Sequence, residues 1–131
     1  MNFVVLQPPY PADEGEANKT LEWMSLVDAI IETAKRLNCQ VVAGLVEQVS
    51  DGRWSNLAAV YDDSGGRNFV YHKVHLTQFE RDELRLSAGD QVSTCEVNDV
   101  VYGFAICFDT AFPEHFVALA NQKVDVILCP S

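Results

Sequence analysis

Basic residues are scarce in this chain: 9 lysines and arginines stand against 19 aspartates and glutamates, a formal charge of −10 over 131 residues. A non-specific nucleic-acid binder needs a basic face to displace counterions, so that class is disfavoured, and so is docking on an anionic membrane surface. Long apolar runs are missing as well; none approaches the roughly 20 residues needed to span a bilayer. The stretch from Met1 to Leu6 has neither a basic segment nor an extended apolar core before Pro8 and Pro9, which does not fit a signal peptide. The cysteines at 39, 95, 107 and 129 contain no CxxC pair, which speaks against a zinc knuckle. Without an export signal the expected compartment is the reducing cytoplasm, with free thiols. Cys39, Cys95 and Cys129 each adjoin an apolar stretch and read as small buried hydrophobes. Internal repeats and low-complexity linkers are also lacking.

What is present is a core-forming composition, 48% apolar, enough for one modest domain. Residues 3–6 read as a short buried strand that Pro8, Pro9 and Pro11 bring to an end. Asp13 to Asn18 reads as an acidic loop. Thr20 then caps a helix over 21–37, whose apolar residues Trp23, Val27, Ile30, Ile31 and Ala34 fall on one stripe. Strands are expected at 41–46, 54–61, 69–73, 92–97, 100–106 and 124–128. The turns between them fall at Ser50-Asp51-Gly52, Asp62 to Gly66 and Asn98-Asp99. Residues 77–86 are charged and suit a loop with a short helix, and 112–122 suits a helix. Helices mixed with both hairpins and crossovers predict an α/β fold with a mixed sheet.

Two segments carry chemistry. In Gly103-Phe104-Ala105-Ile106-Cys107-Phe108-Asp109-Thr110-Ala111-Phe112-Pro113-Glu114 an apolar strand delivers a cysteine to a turn that enters a helix. A thiol held there can be exposed at a sheet edge, with backbone N–H groups near enough to bind an oxyanion. For a lone cysteine the bland alternative is burial in the core. In Tyr71-His72-Lys73-Val74-His75-Leu76 a lysine ends a half-buried strand. It is either solvated at a strand edge or a fixed cation aimed at developing negative charge. His72 and His75 do not make a metal pair, because residues three apart on a strand face opposite sides.

Together these segments resemble the nitrilase superfamily of carbon–nitrogen hydrolases. Its nucleophile pattern, G-x-x-I-C-[YF]-D-x-x-F-P-E, is matched from Gly103 to Glu114, and its lysine pattern, Y-x-K-x-H-L, from Tyr71 to Leu76. Glu80-Arg81, Ala88-Gly89-Asp90 and, more loosely, Gly44 to Glu47 and Asn56-Leu57-Ala58 extend the likeness over residues 3–131. The resemblance implies part of an αββα sandwich: residues 1–131 as a single partial domain, without the family's first strand and helix and its C-terminal portion. It implies hydrolysis of a non-peptide C–N bond in a small molecule. Cys107 would be the nucleophile, and Lys73 and the Phe108 N–H would stabilise the oxyanion. Glu80 would position lysine or substrate, and Asp109 and Glu114 would hold the turn. The C-[YF]-D form leans to amide or carbamoyl substrates over nitriles. No metal or organic cofactor is implied, and a homo-oligomer is expected.

The family's general-base glutamate falls here on Pro8, which cannot accept a proton. Glu14 and Glu16 are nearby substitutes. A catalytically inactive member acting in binding or assembly is therefore the alternative reading. A papain-like pairing of Cys107 with His115 or His75 would leave Lys73 and the F-P-E motif unexplained.

Overall fold

The computed structural model describes residues 3–6, 14–49 and 52–130. In chain order these form β1 (Phe3–Leu6), α1 (Glu14–Leu37), β2 (Gln40–Gln48), β3 (Trp54–Tyr61), β4 (Arg67–His72), α2 (Gln78–Asp82), β5 (Thr94–Val97), β6 (Val100–Phe104), a 3-10 helix (Cys107–Ala111), α3 (Pro113–Asn121) and β7 (Val126–Leu128). The strands make two sheets, one ordered β1-β2-β3-β4 and one ordered β5-β6-β7, so the α/β architecture contains two sheets, as part of an αββα sandwich would. The chain divides into two compact units, 1–46 with 59–70 and 47–58 with 71–131. Among the described residues no helix is long and apolar enough to cross a membrane.

In the first unit β1 runs parallel to β2, with Phe3 opposite Gln40 and Leu6 opposite Ala43. A parallel pair needs a long crossover, and α1 supplies it. The helix begins at Glu14, not at residue 21, so Thr20 lies inside it and does not cap it. Of the acidic stretch expected to be a loop, Glu14 to Asn18 form the start of the helix, and Asp13 lies outside the described residues. Glu, Ala and Lys are strong helix formers, and carboxylates in a first turn complement the helix dipole. Val27, Ile31 and Ala34 are buried along one stripe. Asn38 ends the helix in a left-handed conformation, φ 53°, as expected of Asn just past a C-terminus. On β2, Val41, Val42 and Ala43 have no solvent exposure; each buried valine contributes about 1.5–3 kcal/mol. The Asp62–Gly66 turn closes on the Asp62 carboxylate. It accepts from Ser64 N (2.9 Å), Ser64 Oγ (2.6 Å), Gly66 N (2.8 Å) and Asn68 Nδ2 (2.9 Å).

In the second unit β5 pairs antiparallel and β7 parallel with β6, giving the mixed sheet the patterning implied. Asn98 and Asp99 both take positive φ, 50° and 63°, the left-handed pair that a two-residue hairpin demands. The expected strands shorten at their ends, β6 stopping at Phe104 and β7 starting at Val126. The reason at β6 is local: Ala105 and Cys107 still donate N–H bonds, to Leu128 O (3.0 Å) and Pro130 O (3.0 Å), but the chain is already turning. Gly103 lets α3 close on β6, because a Cβ there would lie 2.6 Å from Leu119 Cδ2 and 3.1 Å from Val124 Cγ2. Phe104, Ala105 and Ile106 are fully buried, so β6 delivers the following residue from a rigid, dry strand.

Candidate active site

Cys107 follows that strand at the first position of the 3-10 helix. Its φ is +46°, a left-handed conformation that costs a residue with a Cβ on the order of 1–2 kcal/mol. The surroundings over-determine it. Asp109 N donates to Ile106 O (3.0 Å), Thr110 Oγ1 to Cys107 O (2.7 Å), and Pro113 opens α3, where its missing N–H is no loss. The cysteine is exposed, and the Phe108 N–H meets no acceptor among the described residues. A strained, accessible thiol beside an uncommitted backbone donor is an arrangement that can attack an acyl carbon and hold the resulting oxyanion.

Asp109 holds the turn together. It is fully buried, and its Oδ2 accepts from Tyr71 Oη (2.8 Å) and from Ile106 N (2.9 Å). Its Oδ1 accepts from His75 N (2.8 Å) and faces His75 Nδ1 at 3.0 Å. A buried carboxylate is tolerable only when its lone pairs are filled in this way. Tyr71 and His75 are the residues two before and two after Lys73, so the lysine segment is fastened at both sides to the residue two beyond Cys107. Burial, then the Asp109 charge and the hydrogen bond to it, push the Tyr71 phenol well above its ordinary value; it stays a donor at any physiological pH.

Lys73 is 1% exposed, not solvated at an edge. Its Nζ donates to Glu80 Oε1 (2.8 Å) and Oε2 (2.7 Å). Its own backbone is fixed by Lys73 N to Asn56 O (2.9 Å) and Gly89 N to Lys73 O (2.8 Å). Glu80 is 2% exposed. It also accepts from Asn56 Nδ2 (3.1 Å) and from Thr77 N (2.8 Å), while Thr77 Oγ1 accepts from Glu80 N (3.2 Å). That reciprocal capping box starts α2, so one side chain both caps a helix and neutralises a buried ammonium.

Other expectations are redirected. Glu114 is exposed in the first turn of α3 and makes no side-chain hydrogen bond among the described residues; the turn-holding role expected of it falls to Asp109 alone. Cys129 is exposed and Cys95 half-buried, leaving only Cys39 as the buried thiol expected of all three. Cys129 lies just past the end of β7, outside the strand that was expected to bury it. Burial still pushes the Cys95 thiol up to about 11 and raises that of Cys129. His72 pairs with Ser55 Oγ (2.9 Å) and His75 with Asp109, so the two histidines serve different partners, as their spacing suggested. Pro8 lies outside the described residues, and Glu14 and Glu16 are described only as part of α1. Asn56 and Tyr71, which pattern matching placed without a role, turn out to anchor Glu80 and Asp109.

These features define a mixed α/β protein with the carbon–nitrogen hydrolase fold. A carbon-nitrogen hydrolase from Helicobacter pylori G27 superposes with a TM-score of 0.79 at 23% identity, over 99% of this chain and 47% of that one. The carbon-nitrogen hydrolase family model matches residues 4–131, and the chain belongs to that family. An (R)-stereoselective amidase of Pseudomonas sp is 30% identical over 102 residues, 78% of this chain and 36% of its own length. The 2-oxoglutaramate amidase of Bacillus subtilis (strain 168) is 34% identical over 83 residues, 63% of this chain and 32% of its own. A nitrilase of Pyrococcus abyssi is 30% identical over 105 residues, 78% of this chain and 38% of its own. Such matches span only 25% to 40% of the curated relatives' lengths.

Proposed function

We propose that the protein hydrolyses a non-peptide C–N bond of a small amide or carbamoyl compound through a thioacyl intermediate on Cys107. The thiolate adds to the carbonyl carbon, and the oxyanion is met by the Phe108 N–H and by Lys73. Two of the three ammonium protons of Lys73 are committed to Glu80. Collapse breaks the C–N bond and releases ammonia or an amine that has taken up a proton. Water then cleaves the thioester, returning the thiol and a carboxylic or carbamic acid. Glu80 acts as a positioning residue for the lysine. The observation that carries this reading is the left-handed, exposed Cys107, held in that strained form by a buried Asp109 whose partners flank Lys73. That several relatives are named amidases supports an amide over a nitrile as this chain's substrate. By resemblance the enzyme would work as a cytoplasmic homo-oligomer.

A second reading, an inactive member that binds without turnover, draws on Pro8 at the position where the family pattern carries its general base. Iodoacetamide labelling near pH 7 and mass spectrometry after exposure to short aliphatic amides separate the two. The hydrolase predicts a Cys107 labelled well ahead of the other three thiols, and an acyl adduct on the Cys107 peptide that is absent in Cys107→Ala. A thiol at about 11 is ionised on the order of one part in ten thousand at pH 7, so Cys95 sets the slow limit. Equal labelling of Cys107 and Cys95 with no adduct across the panel would leave the binding-only reading.

A further inference from the structure

We propose that His75 Nδ1, Asp109 Oδ1 and His115 Nδ1 form a site for a divalent transition-metal ion of the zinc class. His115 is fully buried on α3. Its Nε2 lies 2.7 Å from Phe104 O, and a carbonyl can only accept, so Nε2 carries the proton. In the neutral ring the lone pair is then on Nδ1, and that atom is buried without a hydrogen-bond partner. It faces Asp109 Oδ1 at 3.9 Å, too far for a hydrogen bond. Two buried acceptors facing each other repel, and a cation between them removes the conflict.

The surroundings supply what a metal needs. His75 Nδ1 is 3.0 Å from the same carboxylate oxygen, and the three candidate donor atoms lie within 4.8 Å of one another. Bonds of about 2.0–2.1 Å at a tetrahedral centre set donor atoms about 3.3 Å apart; the separations of 3.0 and 3.9 Å from Asp109 Oδ1 lie near that, and the widest, within 4.8 Å, would contract by up to about 1.5 Å on binding. The His115 Nε2–H bond to a backbone carbonyl is the outer-shell contact that fixes a ligating imidazole. Tyr71 Oη and Ile106 N hold Oδ2 of Asp109, and His75 N donates to one lone pair of Oδ1 (2.8 Å), so the ion would take the other, which His75 Nδ1 now faces at 3.0 Å. The His75 ring is set by stacking on Phe112, centroids 3.9 Å apart at 12°. Its side chain is 24% exposed, which provides an entry path and a fourth position for water. On binding, His75 takes the tautomer with its proton on Nε2, so the Nδ1 lone pair faces the ion; a ring that had carried both protons releases the Nδ1 proton to solvent, and no redox change is involved. The ion would link the segment after β4, the 3-10 helix and α3, bracing the turn that carries Cys107.

The test is Co(II) titration of the intact metal-stripped protein, read by visible d–d absorption and by bound-metal analysis. One equivalent with four-coordinate bands, displaced by Zn(II), is expected. His115→Gln keeps an amide N–H for Phe104 O and removes Nδ1; His75→Phe keeps the stacking on Phe112. Each should weaken Co(II) binding at least about tenfold, with unchanged far-UV circular dichroism. Cys107→Ser should leave the bands intact. Wild type binding no more Co(II) than His115→Gln would overturn the site, as would bands lost in Cys107→Ser but kept in His115→Gln. The readout needs no turnover, so it stands or falls apart from the proposed hydrolysis.

Discussion

Replacing Glu80 by glutamine removes one charge from a pair whose side chains are 1% and 3% exposed. Among the hydrogen bonds the carboxylate receives are two from Lys73 Nζ and one each from Asn56 Nδ2 and Thr77 N. A glutamine offers one oxygen and turns an NH2 group toward donors, so at least one donor is orphaned and the buried ammonium loses its counter-charge. Breaking such a pair from one side costs about 3–5 kcal/mol. For a chain of this size that corresponds to a fall in melting temperature of roughly 10–20 °C. Urea unfolding and calorimetry of Glu80→Gln measure it. Pairing the change with Lys73→Met removes the stranded charge, so the double variant should recover at least about 1 kcal/mol over Glu80→Gln. A Glu80→Gln variant within about 0.5 kcal/mol of wild type, the range of exposed pairs, would refute the argument that Lys73 is desolvated and held by Glu80.

Two pH dependences follow from the hydrogen-bond network. The Tyr71 phenol is raised, so the folded state keeps its proton where the unfolded chain, near pH 10, releases it. Stability from this group is complete below about pH 10 and falls as pH rises above it; alkaline unfolding should show that slope in wild type and a shallower one in Tyr71→Phe. Asp62 is lowered to about 2 by the Ser64 and Asn68 side chains and the Gly66 N–H. Its turn therefore contributes above the ordinary carboxylate range and loses that contribution as pH falls through about 2. A carbon-detected NMR titration should place the Asp62 midpoint near 2, and a midpoint near 4 would mean the turn is open in solution.

Periodicity and turn chemistry made most elements readable, because both are local. The Val41 to Val46 run, the Asn98-Asp99 hairpin and the helix end at Asn38 lie where side-chain pattern and φ preference put them. The helix start at Glu14 is not legible in the sequence, because clustered acids suit loops and helix N-termini alike and composition alone does not choose between them. The two motifs singled out Cys107 and Lys73 by type and order, the separate Glu80-Arg81 likeness singled out Glu80, and the Lys73–Glu80 bond spans only seven positions.

The chain by itself thus determined the elements, the family likeness and which side chains carry chemistry. Tertiary structure decided what those side chains experience. Lys73 is buried rather than solvated, Asp109 is gripped by residues 34 and 38 positions earlier, and the N–H of His115 is spent on Phe104 O. The physical reason is that burial and hydrogen-bond partnership depend on which distant segments the topology brings together. A spacing pattern along the chain records only the neighbours within a few residues.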